Sequence, residues 1–273
     1  MKTVFANENI EFYGVLPFSE CRCRRADLIE RKGARAEEIR SAVLFLIPYY
    51  VGDEKGNISL YARAGDYHFY ADRLFGRILP LLRERFGGEF YGFADKSPIE
   101  ETVAAAKAGL GVIGDNYMLI NEKYGSFVFI GEILSTVEPE ALGFSGEILP
   151  ARACLHCGAC KRACPAQSHG GECLSALTQT KGALTQEQEA YIREYGSAWG
   201  CDLCQTACPL TQRAIASGAR TPIGFFAENR IPHLTEEMLD SMSKEEFRFR
   251  AFSWRGKQPL RRNLALLSQE NEI

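Results

Sequence analysis

Eight of the ten cysteines lie between Cys154 and Cys208, at spacings that suit the ligands of metal clusters. The first run, C-L-H-C-G-A-C-K-R-A-C-P, follows the pattern C-x2-C-x2-C-x3-C-P, the bacterial spacing for [4Fe–4S] clusters. The second run, C-D-L-C-Q-T-A-C-P, adds three cysteines, and Cys173 lies alone between the two runs. Thiolates at these spacings predict two iron–sulfur clusters and a chemistry of one-electron transfer.

The cysteine pattern also assigns each ligand to a cluster. In paired runs of this kind, the first three cysteines hold one cluster and the cysteine of the C-P pair ligates the other. The first cluster is expected on Cys154, Cys157, Cys160 and Cys208, and the second on Cys164, Cys173, Cys201 and Cys204. Structural zinc is the alternative, but zinc sites usually use paired C-x2-C knuckles without a C-P partner. A disulfide framework is disfavoured because such scaffolds are typically much shorter and are secreted.

The composition places these cysteines in an ordinary globular chain. Of the 273 residues, 46% are hydrophobic and 25% are charged, and the net charge of −3 gives no global positive field for nucleic acid. The first residues have too short an apolar run for a signal peptide, and no run approaches the roughly 20 apolar residues of a membrane span. Free thiolates and clusters both fit a reducing compartment, so a cytoplasmic protein without membrane contact is expected.

Local patterns upstream of the cysteines predict the elements that position a second site. Apolar runs at 41–50 and 89–94 predict strands, and a 3.6-residue period predicts a helix over 66–86. The buried face of that helix is expected at Phe69, Leu74, Ile78, Leu81 and Leu82. Ser97, Pro98 and Glu100 match the start of a capped helix that ends at Gly109, and Asp95 lies just before it. Segments 117–121 and 126–135 predict two further strands.

A glycine-rich loop, G-L-G-V-I-G, follows the capped helix. Gly109, Gly111 and Gly114 match the dinucleotide fingerprint, but that fingerprint needs a strand before it and a helix after it, so a Rossmann site is discounted. Glycines still let the backbone approach a flat or bulky ligand closely.

Two further features leave alternatives open. Cys21 and Cys23 form a C-x-C pair that is either redox-active or, as we favour, a pair of plain thiols. A basic run near the C-terminus contains Arg248, Arg250, Arg255, Lys257, Arg261 and Arg262. It is either a phosphate-binding patch or the solvated face of a helix pair that packs Phe252, Trp254 and Leu260 inward.

These patterns divide the chain into a first domain over 1–145, a cluster module over 146–215 and a short helical tail over 216–273. Two clusters pass electrons singly, but they do not transform most substrates unaided. The first domain is therefore expected to hold a second redox cofactor with the substrate, or to dock a partner.

Several stretches together resemble one family. They are I-S-L-Y-A-R-A-G-D-Y-H (58–68), A-D-K-S-P-I-E-E-T-V-A-A-A-K-A-G-L-G-V-I-G-D-N (94–116), G-S-F-V-F-I-G-E-I (125–133) and the cysteine runs, including G-C-D-L-C-Q-T-A-C-P (200–209). Their order and spacing are similar to those of the epoxyqueuosine reductases, cobalamin-dependent iron–sulfur enzymes of tRNA queuosine biosynthesis that are related to reductive dehalogenases. The resemblance implies an α+β fold. An N-terminal α/β cobalamin-binding domain of the nitroreductase-like kind would precede a ferredoxin-like module with two [4Fe–4S] clusters and a short helical tail.

The resemblance also implies a reaction. Electrons from an external ferredoxin- or flavodoxin-type donor would pass through the clusters to cobalamin, and the epoxide oxygen would be removed to give the cyclopentene of queuosine. Asp95 matches the family's acid that protonates the departing oxygen, and tRNA is the implied partner. The residues expected to line the cobalamin site are Asp66, Tyr67, His68, Gly109, Gly111, Gly114, Gly125 and Ser126.

The chain departs from the family pattern at three places. Thr102 stands where the family usually has an arginine, and Asp115 stands where a lysine usually follows the glycine loop. The sequence also ends at Ile273, before the helical-repeat domain that often follows in the family, so a short form is expected. Two other functions stay open: an electron-transfer protein without a corrinoid, and a reactivator that reduces the corrinoid of another protein.

Overall fold

The computed structural model describes residues 1–52 and 54–268. It divides the chain into two compact units, each assembled from separate segments. The first unit comprises Met1–Tyr49, Tyr70–Cys157 and Leu210–Ile223, and the second comprises Tyr50–Phe69, Gly158–Pro209 and the chain from Gly224 onward. The contiguous division expected from the sequence differs from this one, because an early segment joins the second unit and a late segment returns to the first.

The strands form one four-stranded sheet and one small ribbon. They are β1 (Tyr13–Pro17), β2 (Ser41–Pro48), β3 (Phe90–Ala94), β4 (Val112–Ile113), β5 (Leu119–Ile120) and β6 (Val128–Ser135). The sheet has the order β1-β2-β6-β3 with antiparallel pairs throughout, and β4 pairs with β5. The predicted strands at 41–50, 89–94 and 126–135 are confirmed as β2, β3 and β6, whereas 117–121 contributes only the two-residue β5.

Helices of very different lengths complete both units, so the expected mixture of helix and sheet is confirmed. The α-helices are α1 (Lys2–Asn7), α2 (Ala26–Glu30), α3 (Tyr67–Phe86), α4 (Glu101–Lys107), α5 (Ala159–Ala163), α6 (Leu174–Thr178), α7 (Gln186–Tyr195), α8 (Leu203–Thr206), α9 (Pro209–Ala216), α10 (Gly224–Ala227), α11 (Glu236–Ser241), α12 (Lys244–Arg248) and α13 (Lys257–Ser268). Short 3-10 turns cover Phe18–Glu20, Ala36–Glu38, Leu60–Ala62, Pro165–Ser168 and Ala251–Arg255.

The four-stranded sheet of the first unit is covered on both faces. Ala42, Leu44 and Leu46 of β2 join the alanines of α4 in one apolar cluster. On the other face Phe45 meets Phe75 of α3, with ring centroids 6.2 Å apart. Every residue of β2 is therefore buried, which explains why this strand is continuously apolar rather than alternating.

The long helix α3 confirms the predicted helix over 66–86 and most of its buried face. Leu74, Ile78 and Leu82 are buried at a spacing of four residues, and Phe69 is half-buried. Leu81 is 48% exposed, so its predicted burial is wrong. Leu81 lies at the edge of the stripe that the other residues form on the helix, where solvent reaches its side chain.

The start of α4 differs from the predicted capped helix. The helix begins at Glu101 with Glu100 in the N-cap position, whereas the prediction placed Ser97 there. Ser97 Oγ accepts a hydrogen bond from Ile99 N at 3.0 Å and so closes a tight turn ahead of the helix. The capping-box prediction is wrong for that reason. Gly109 does follow the helix end, with a φ of 79°.

The second unit is built around buried aromatic residues between short helices. Trp199 is fully buried, its ring centroid lies 6.4 Å from that of Phe252, and its indole N–H donates to Tyr61 Oη at 2.9 Å. Helix α7 starts with a reciprocal capping box between Thr185 and Gln188. Within the described part of the chain, no helix has both the length and the apolar character needed to cross a bilayer.

The aromatic and aliphatic residues of the basic C-terminal run mostly point inward. Phe252 and Leu260 are fully buried, as the packed alternative expects. Trp254 is 59% exposed, so it departs from that packed alternative. The guanidinium of Arg255 lies 3.8 Å from the Trp254 ring centroid, and this stacking holds the indole at the surface.

Several cations of the same run hold the second unit together. Arg261 pairs with Asp240 at 2.6 Å. Arg262 donates two hydrogen bonds of 2.8 Å to backbone carbonyls of the 180–182 loop. Lys257 donates to the backbone carbonyl of a residue in α11. These contacts favour the structural alternative over a dedicated phosphate patch.

Candidate functional site

Asp95 lies in the turn that follows β3 in the first unit. Its φ of 65° is in the left-handed region, which aspartate enters more readily than most side-chain-bearing residues. The turn is closed by Ser97 N–H, which donates to Asp95 O at 3.0 Å. Asp95 is exposed, so this turn presents a carboxyl group where a reacting molecule can reach it.

Two glutamates lie behind this turn, and the sequence did not predict either as a functional residue. Glu132, in β6, is fully buried, and its Oε2 atom lies 2.5 Å from Ser97 Oγ. Burial raises the pKa of Glu132 to about 8; the hydrogen bond with Ser97 opposes this rise, and the charge of Glu101 adds to it. Burial likewise raises the pKa of Glu101 to about 7, with a smaller contribution from the charge of Asp95. The three carboxyl groups therefore form one electrostatically coupled group.

One sequence signal was available for Glu132. A charged residue stands alone inside the apolar strand S-F-V-F-I-G-E-I-L-S, and charged side chains are seldom fully buried without a special reason. In the sheet, Glu132 lies between Leu44 of β2 and Phe93 of β3. Glu101 gave no comparable signal, because glutamate is common in the first turn of a helix.

The glycine loop borders a cavity of about 350 Å³ in the first unit. Its lining is mainly apolar, and its polar side chains are those of Asn121, Glu122, Arg152 and Arg213. A cavity of this size suits a small ligand or one part of a larger ligand.

The chain's own packing accounts for two glycines of that loop. A Cβ atom at Gly111 would meet the backbone carbonyl of Ile120, and one at Gly114 would meet the side chain of Asn116. Close approach between β4 and β5 therefore requires Gly111 whether or not a ligand binds beside it, whereas the contact at Gly114 is with the end of the Asn116 side chain.

Gly125 and Ser126 lie against α9 within the first unit. Gly125 has a φ of 60° and approaches Thr211 closely. Ser126 is buried, and both its N–H and its hydroxyl oxygen lie 3.2 Å from Thr211 Oγ1. The Ser126 hydroxyl is thus held inside the unit by Thr211.

The tripeptide Asp66–His68 belongs to the second unit and precedes or begins α3. His68 Nδ1 lies 2.8 Å from Asp66 Oδ1, and the rings of Tyr67 and His68 stack with centroids 4.2 Å apart. Asp66 N–H donates to Phe249 O at 2.7 Å. These contacts hold the imidazole in one orientation.

Four of the predicted cluster ligands are neighbours in the second unit. The Cys201 thiol interacts electrostatically with Cys173 and Cys204. The Tyr191 hydroxyl interacts with Cys164, Cys173 and Cys201. These four cysteines are the ones expected to hold the second cluster.

The other four cysteines are divided between the two units. Cys160 in α5 and Cys208, which follows α8, belong to the second unit, where α5 packs against α8. Cys154 and Cys157 belong to the first unit, and Cys154 N–H donates to Ile113 O of β4 at 2.9 Å.

A histidine that the sequence did not predict as a functional residue lies beside Cys154. His156 Nδ1 lies 2.7 Å from Asp115 Oδ1, and the ligand atoms of Asp115, Cys154 and His156 all lie within 4.8 Å of one another. Asp115, one of the departures from the family pattern, therefore places a carboxylate and an imidazole next to a predicted cluster thiol.

Asp202 anchors the C-D-L-C knuckle of the second unit. Its carboxylate accepts hydrogen bonds from Ser59 Oγ at 2.7 Å and from Leu60 N at 2.8 Å. Burial raises the pKa of Asp202, whereas these hydrogen bonds and the charge of Arg63 oppose that rise. The knuckle is thereby tied to the 3-10 turn that begins at Leu60.

The two thiols of the C-x-C pair in the first unit are expected to be unreactive. Cys21 is buried, and burial raises the pKa of its thiol to about 12. Cys23 is exposed, but partial burial of its thiol still raises its pKa. Thiols that stay protonated at neutral pH are poor nucleophiles, which agrees with the favoured alternative of plain thiols.

The first unit contains an antiparallel sheet with a carboxyl-bearing turn, and the second is helical and rich in cysteines. The chain is therefore an α+β protein with grouped thiols. An epoxyqueuosine reductase of Gloeobacter violaceus is 32% identical over 228 residues, which cover 77% of this chain and 68% of that protein. One from Lactococcus garvieae is 31% identical over 225 residues, which cover 77% of this chain and 60% of that protein. No protein-family model matches the chain.

The fold agrees with these relatives. A crystal structure of an epoxyqueuosine reductase with an epoxyqueuosine-modified tRNA-Tyr stem loop matches with a TM-score of 0.74 at 21% identity, over 97% of this chain and 80% of that chain. The chain belongs to the epoxyqueuosine reductase family. It spans about 60% of the length of the Lactococcus garvieae relative.

Proposed function

We propose that this chain catalyses reductive removal of the epoxide oxygen of epoxyqueuosine, or of a closely related epoxide, with iron–sulfur clusters and cobalamin as cofactors. Membership of the family supports the reaction class. The observation that carries the proposal is Asp95 itself, an exposed carboxyl group on a left-handed turn with two buried glutamates behind it. Residues held in sparsely populated backbone regions concentrate at functional sites.

Asp95 would supply the proton that the leaving epoxide oxygen needs. When a C–O bond of an epoxide breaks, the oxygen leaves as an alkoxide, which is a poor leaving group until a proton reaches it. Asp95 and Glu101 lie close enough for their charges to interact. Because like charges disfavour joint ionisation, the pair retains a proton more readily than a lone carboxyl group does.

The grouping of four thiols in the second unit supports the proposed ligand set of the second cluster. The second cluster would use Cys164, Cys173, Cys201 and Cys204, and the first would use Cys154, Cys157, Cys160 and Cys208. Burial raises the pKa of the free Cys201 thiol to about 12. That rise does not oppose a cluster, because a coordinated metal ion deprotonates its thiol ligands outright.

The cobalamin proposal rests on family membership. When bound, cobalamin would supply a redox-active cobalt centre that accepts electrons from the clusters. The residues that would line it are Asp66, Tyr67, His68, Gly109, Gly111, Gly114, Gly125 and Ser126. The cavity of about 350 Å³ beside the glycine loop is smaller than a corrinoid and would accommodate only part of one.

The proposed partners follow from the same reaction. A tRNA that carries epoxyqueuosine is the proposed substrate, supported by the crystal structure of a family member with a modified stem loop. A cytoplasmic ferredoxin- or flavodoxin-type protein is the proposed electron donor.

Replacement of Asp95 tests the proposed function. The full chain is loaded with iron, sulfide and hydroxocobalamin under anaerobic conditions, and conversion of an epoxyqueuosine-modified stem loop is followed with a low-potential reductant. We expect Asp95→Asn to lower turnover by about 100-fold or more, because an amide cannot donate the proton. Iron content and corrinoid absorbance should match those of the wild type.

The matched control is Glu89→Gln, which removes an exposed carboxylate just before β3, on the opposite end of the same strand from Asp95. It should leave turnover unchanged. An Asp95→Asn variant with wild-type turnover would remove Asp95 from the proposal. Electron transfer to a partner protein, with full iron content and no corrinoid uptake, would instead favour the electron-transfer alternative.

A further inference from the structure

The inference rests on the proposed function and concerns the supply of protons to Asp95. Conversion of an epoxide to an alkene and water breaks both C–O bonds, forms a C=C bond and consumes two electrons and two protons. The external ferredoxin- or flavodoxin-type donor supplies the electrons. Asp95 carries a single proton, so another group must protonate it again before the oxygen can leave as water.

Hydrogen-bond geometry at Ser97 favours a protonated Glu132. The Ser97 hydroxyl has one hydrogen, yet its oxygen lies 2.8 Å from Ile99 O and 2.5 Å from Glu132 Oε2. The same oxygen accepts from Ile99 N at 3.0 Å. All three contacts are satisfied together when Ser97 donates to Ile99 O and a protonated Glu132 donates to Ser97.

Both glutamates also leave one oxygen unsatisfied. Glu132 Oε1 and Glu101 Oε2 are buried and have no hydrogen-bond partner among the residues described. An ionised carboxylate in such a place would lack the hydrogen bonds that compensate for lost hydration. The neutral acids are therefore favoured, in line with the pKa of about 8 for Glu132 and about 7 for Glu101.

The other titratable groups near the pair leave this conclusion unchanged. They are Asp95, Cys21 and Cys23, with Lys107 and Glu20 beyond Cys21. The charge of Asp95 favours a protonated Glu101. Burial keeps the Cys21 thiol neutral, with its pKa raised to about 12. Lys107 is held by Glu20, whose backbone carbonyl lies 2.9 Å from Lys107 Nζ.

We propose that Glu101 and Glu132 are positioning residues that store protons behind Asp95 and return one to it in each catalytic cycle. Asp95 gives its proton to the opening epoxide. Glu101 then protonates the Asp95 carboxylate, and Glu132 protonates Glu101. The second proton from Asp95 completes the water molecule, and solvent protons refill the carboxyl groups before the next cycle.

Infrared spectroscopy of the cluster-loaded full chain tests the proton store without any substrate. At neutral pH we expect bands of protonated carboxyl groups that are lost in Glu101→Gln and in Glu132→Gln. The matched control is Glu100→Gln, because Glu100 adjoins Glu101 but pairs with Arg22 and Arg24. It should remove no such band. Spectra in which neither Glu101→Gln nor Glu132→Gln removes a protonated-carboxyl band would overturn the inference.

Turnover measured across pH tests the return of the proton. The wild-type rate should decline as the pH rises past about 7, where Glu101 loses its proton. Glu101→Gln should lower the rate roughly tenfold or more and lack that decline. Glu101→Asp, which restores a carboxyl group, should recover part of the rate, and Glu100→Gln should behave as the wild type.

The outcomes separate the inference from the proposed function. A Glu101→Gln variant with the wild-type rate and pH profile would overturn the inference and leave the reductase intact. A fully loaded wild-type protein that reduces no epoxide would refute the proposed function. The infrared bands alone would then decide whether the pair stores protons.

Discussion

At the scale of single residues, Cys173 carries the two-cluster interpretation, because without it the second ligand set has only three thiols. We expect Cys173→Ser to lower the iron content from about eight to about four atoms per chain. The measurement is iron and sulfide content of anaerobically reconstituted protein. Tyr191 interacts with Cys164, Cys173 and Cys201, so Cys173 lies near two other proposed ligands of the second cluster.

Cys23→Ser is the matched control, since Cys23 is exposed and lies outside the cysteine runs. It should leave the iron content unchanged. An unchanged content in Cys173→Ser would contradict the ligand assignment. A wild-type protein that binds zinc in place of iron would contradict the cluster interpretation itself.

Glu132 gives a residue-scale prediction about stability. Its pKa rises from 4.5 in the unfolded chain to about 8 in the folded one, so the folded state binds the proton more tightly. Below pH 4.5 Glu132 is protonated in both the folded and the unfolded state. Between pH 4.5 and about pH 8 only the folded state keeps that proton. The free energy of unfolding should therefore fall with rising pH through this window, by up to about 1.4 kcal/mol per pH unit.

The test compares urea unfolding of the wild type and Glu132→Gln at several pH values, followed by circular dichroism. The variant should lose most of the decline, because an amide does not titrate, and Glu101 supplies a smaller decline of the same sign. Glu89→Gln serves as an exposed control. Parallel curves for wild type and Glu132→Gln would contradict a raised pKa.

The sequence identified residues whose chemistry depends on type and spacing, and it missed those whose chemistry depends on burial. The cysteine runs were recognisable because ligand geometry imposes a spacing on the chain. Glu101 and Glu132 are ordinary in type, and only the fold brings them behind Asp95. His156 gave no signal in the sequence, because it occupies an unspecified position inside a cysteine motif.

At the scale of elements, the fit between β3 and α3 can be tested with two glycines. A Cβ atom at Gly92 would collide with the ring of Phe75, whereas one at Gly76 on α3 would meet nothing within 4 Å. Gly92→Ala should destabilise the protein by about 1–3 kcal/mol through overpacking. Gly76→Ala should stabilise it by about 0.5–1 kcal/mol, because alanine loses less entropy in a helix.

Urea unfolding of both variants measures the direction of each change in the free energy of unfolding. Opposite shifts of the midpoint would support the packing of α3 on the sheet. A Gly92→Ala variant as stable as the wild type would contradict the close contact with Phe75.

Elements with strong local patterns were predictable. Strand β2 and helix α3 agree with the predictions because burial repeats along them with a clear period. The start of α4 was not predictable, because Ser97 has a tertiary partner in Glu132 that competes with the cap. The β4–β5 ribbon is too short to produce a pattern.

At the scale of the whole molecule, the segments of each unit are interleaved along the chain. Composition shifts along a sequence predict contiguous domains, so the return of Leu210–Ile223 to the first unit had no signal in the sequence. Ser126 and Thr211 show what holds this returning segment, because their hydroxyl oxygens lie 3.2 Å apart in the interior of the unit. Such long-range contacts follow from the fold alone.

The central claim is that this chain reduces an epoxide. Mass spectrometry of an epoxyqueuosine-modified tRNA stem loop, after incubation with the anaerobically loaded full chain, hydroxocobalamin and a low-potential reductant, tests it most directly. The account predicts a nucleoside that has lost one oxygen atom, formed only when clusters and corrinoid are both present. An unchanged nucleoside, in the presence of protein with its full complement of iron and bound corrinoid, would contradict the account.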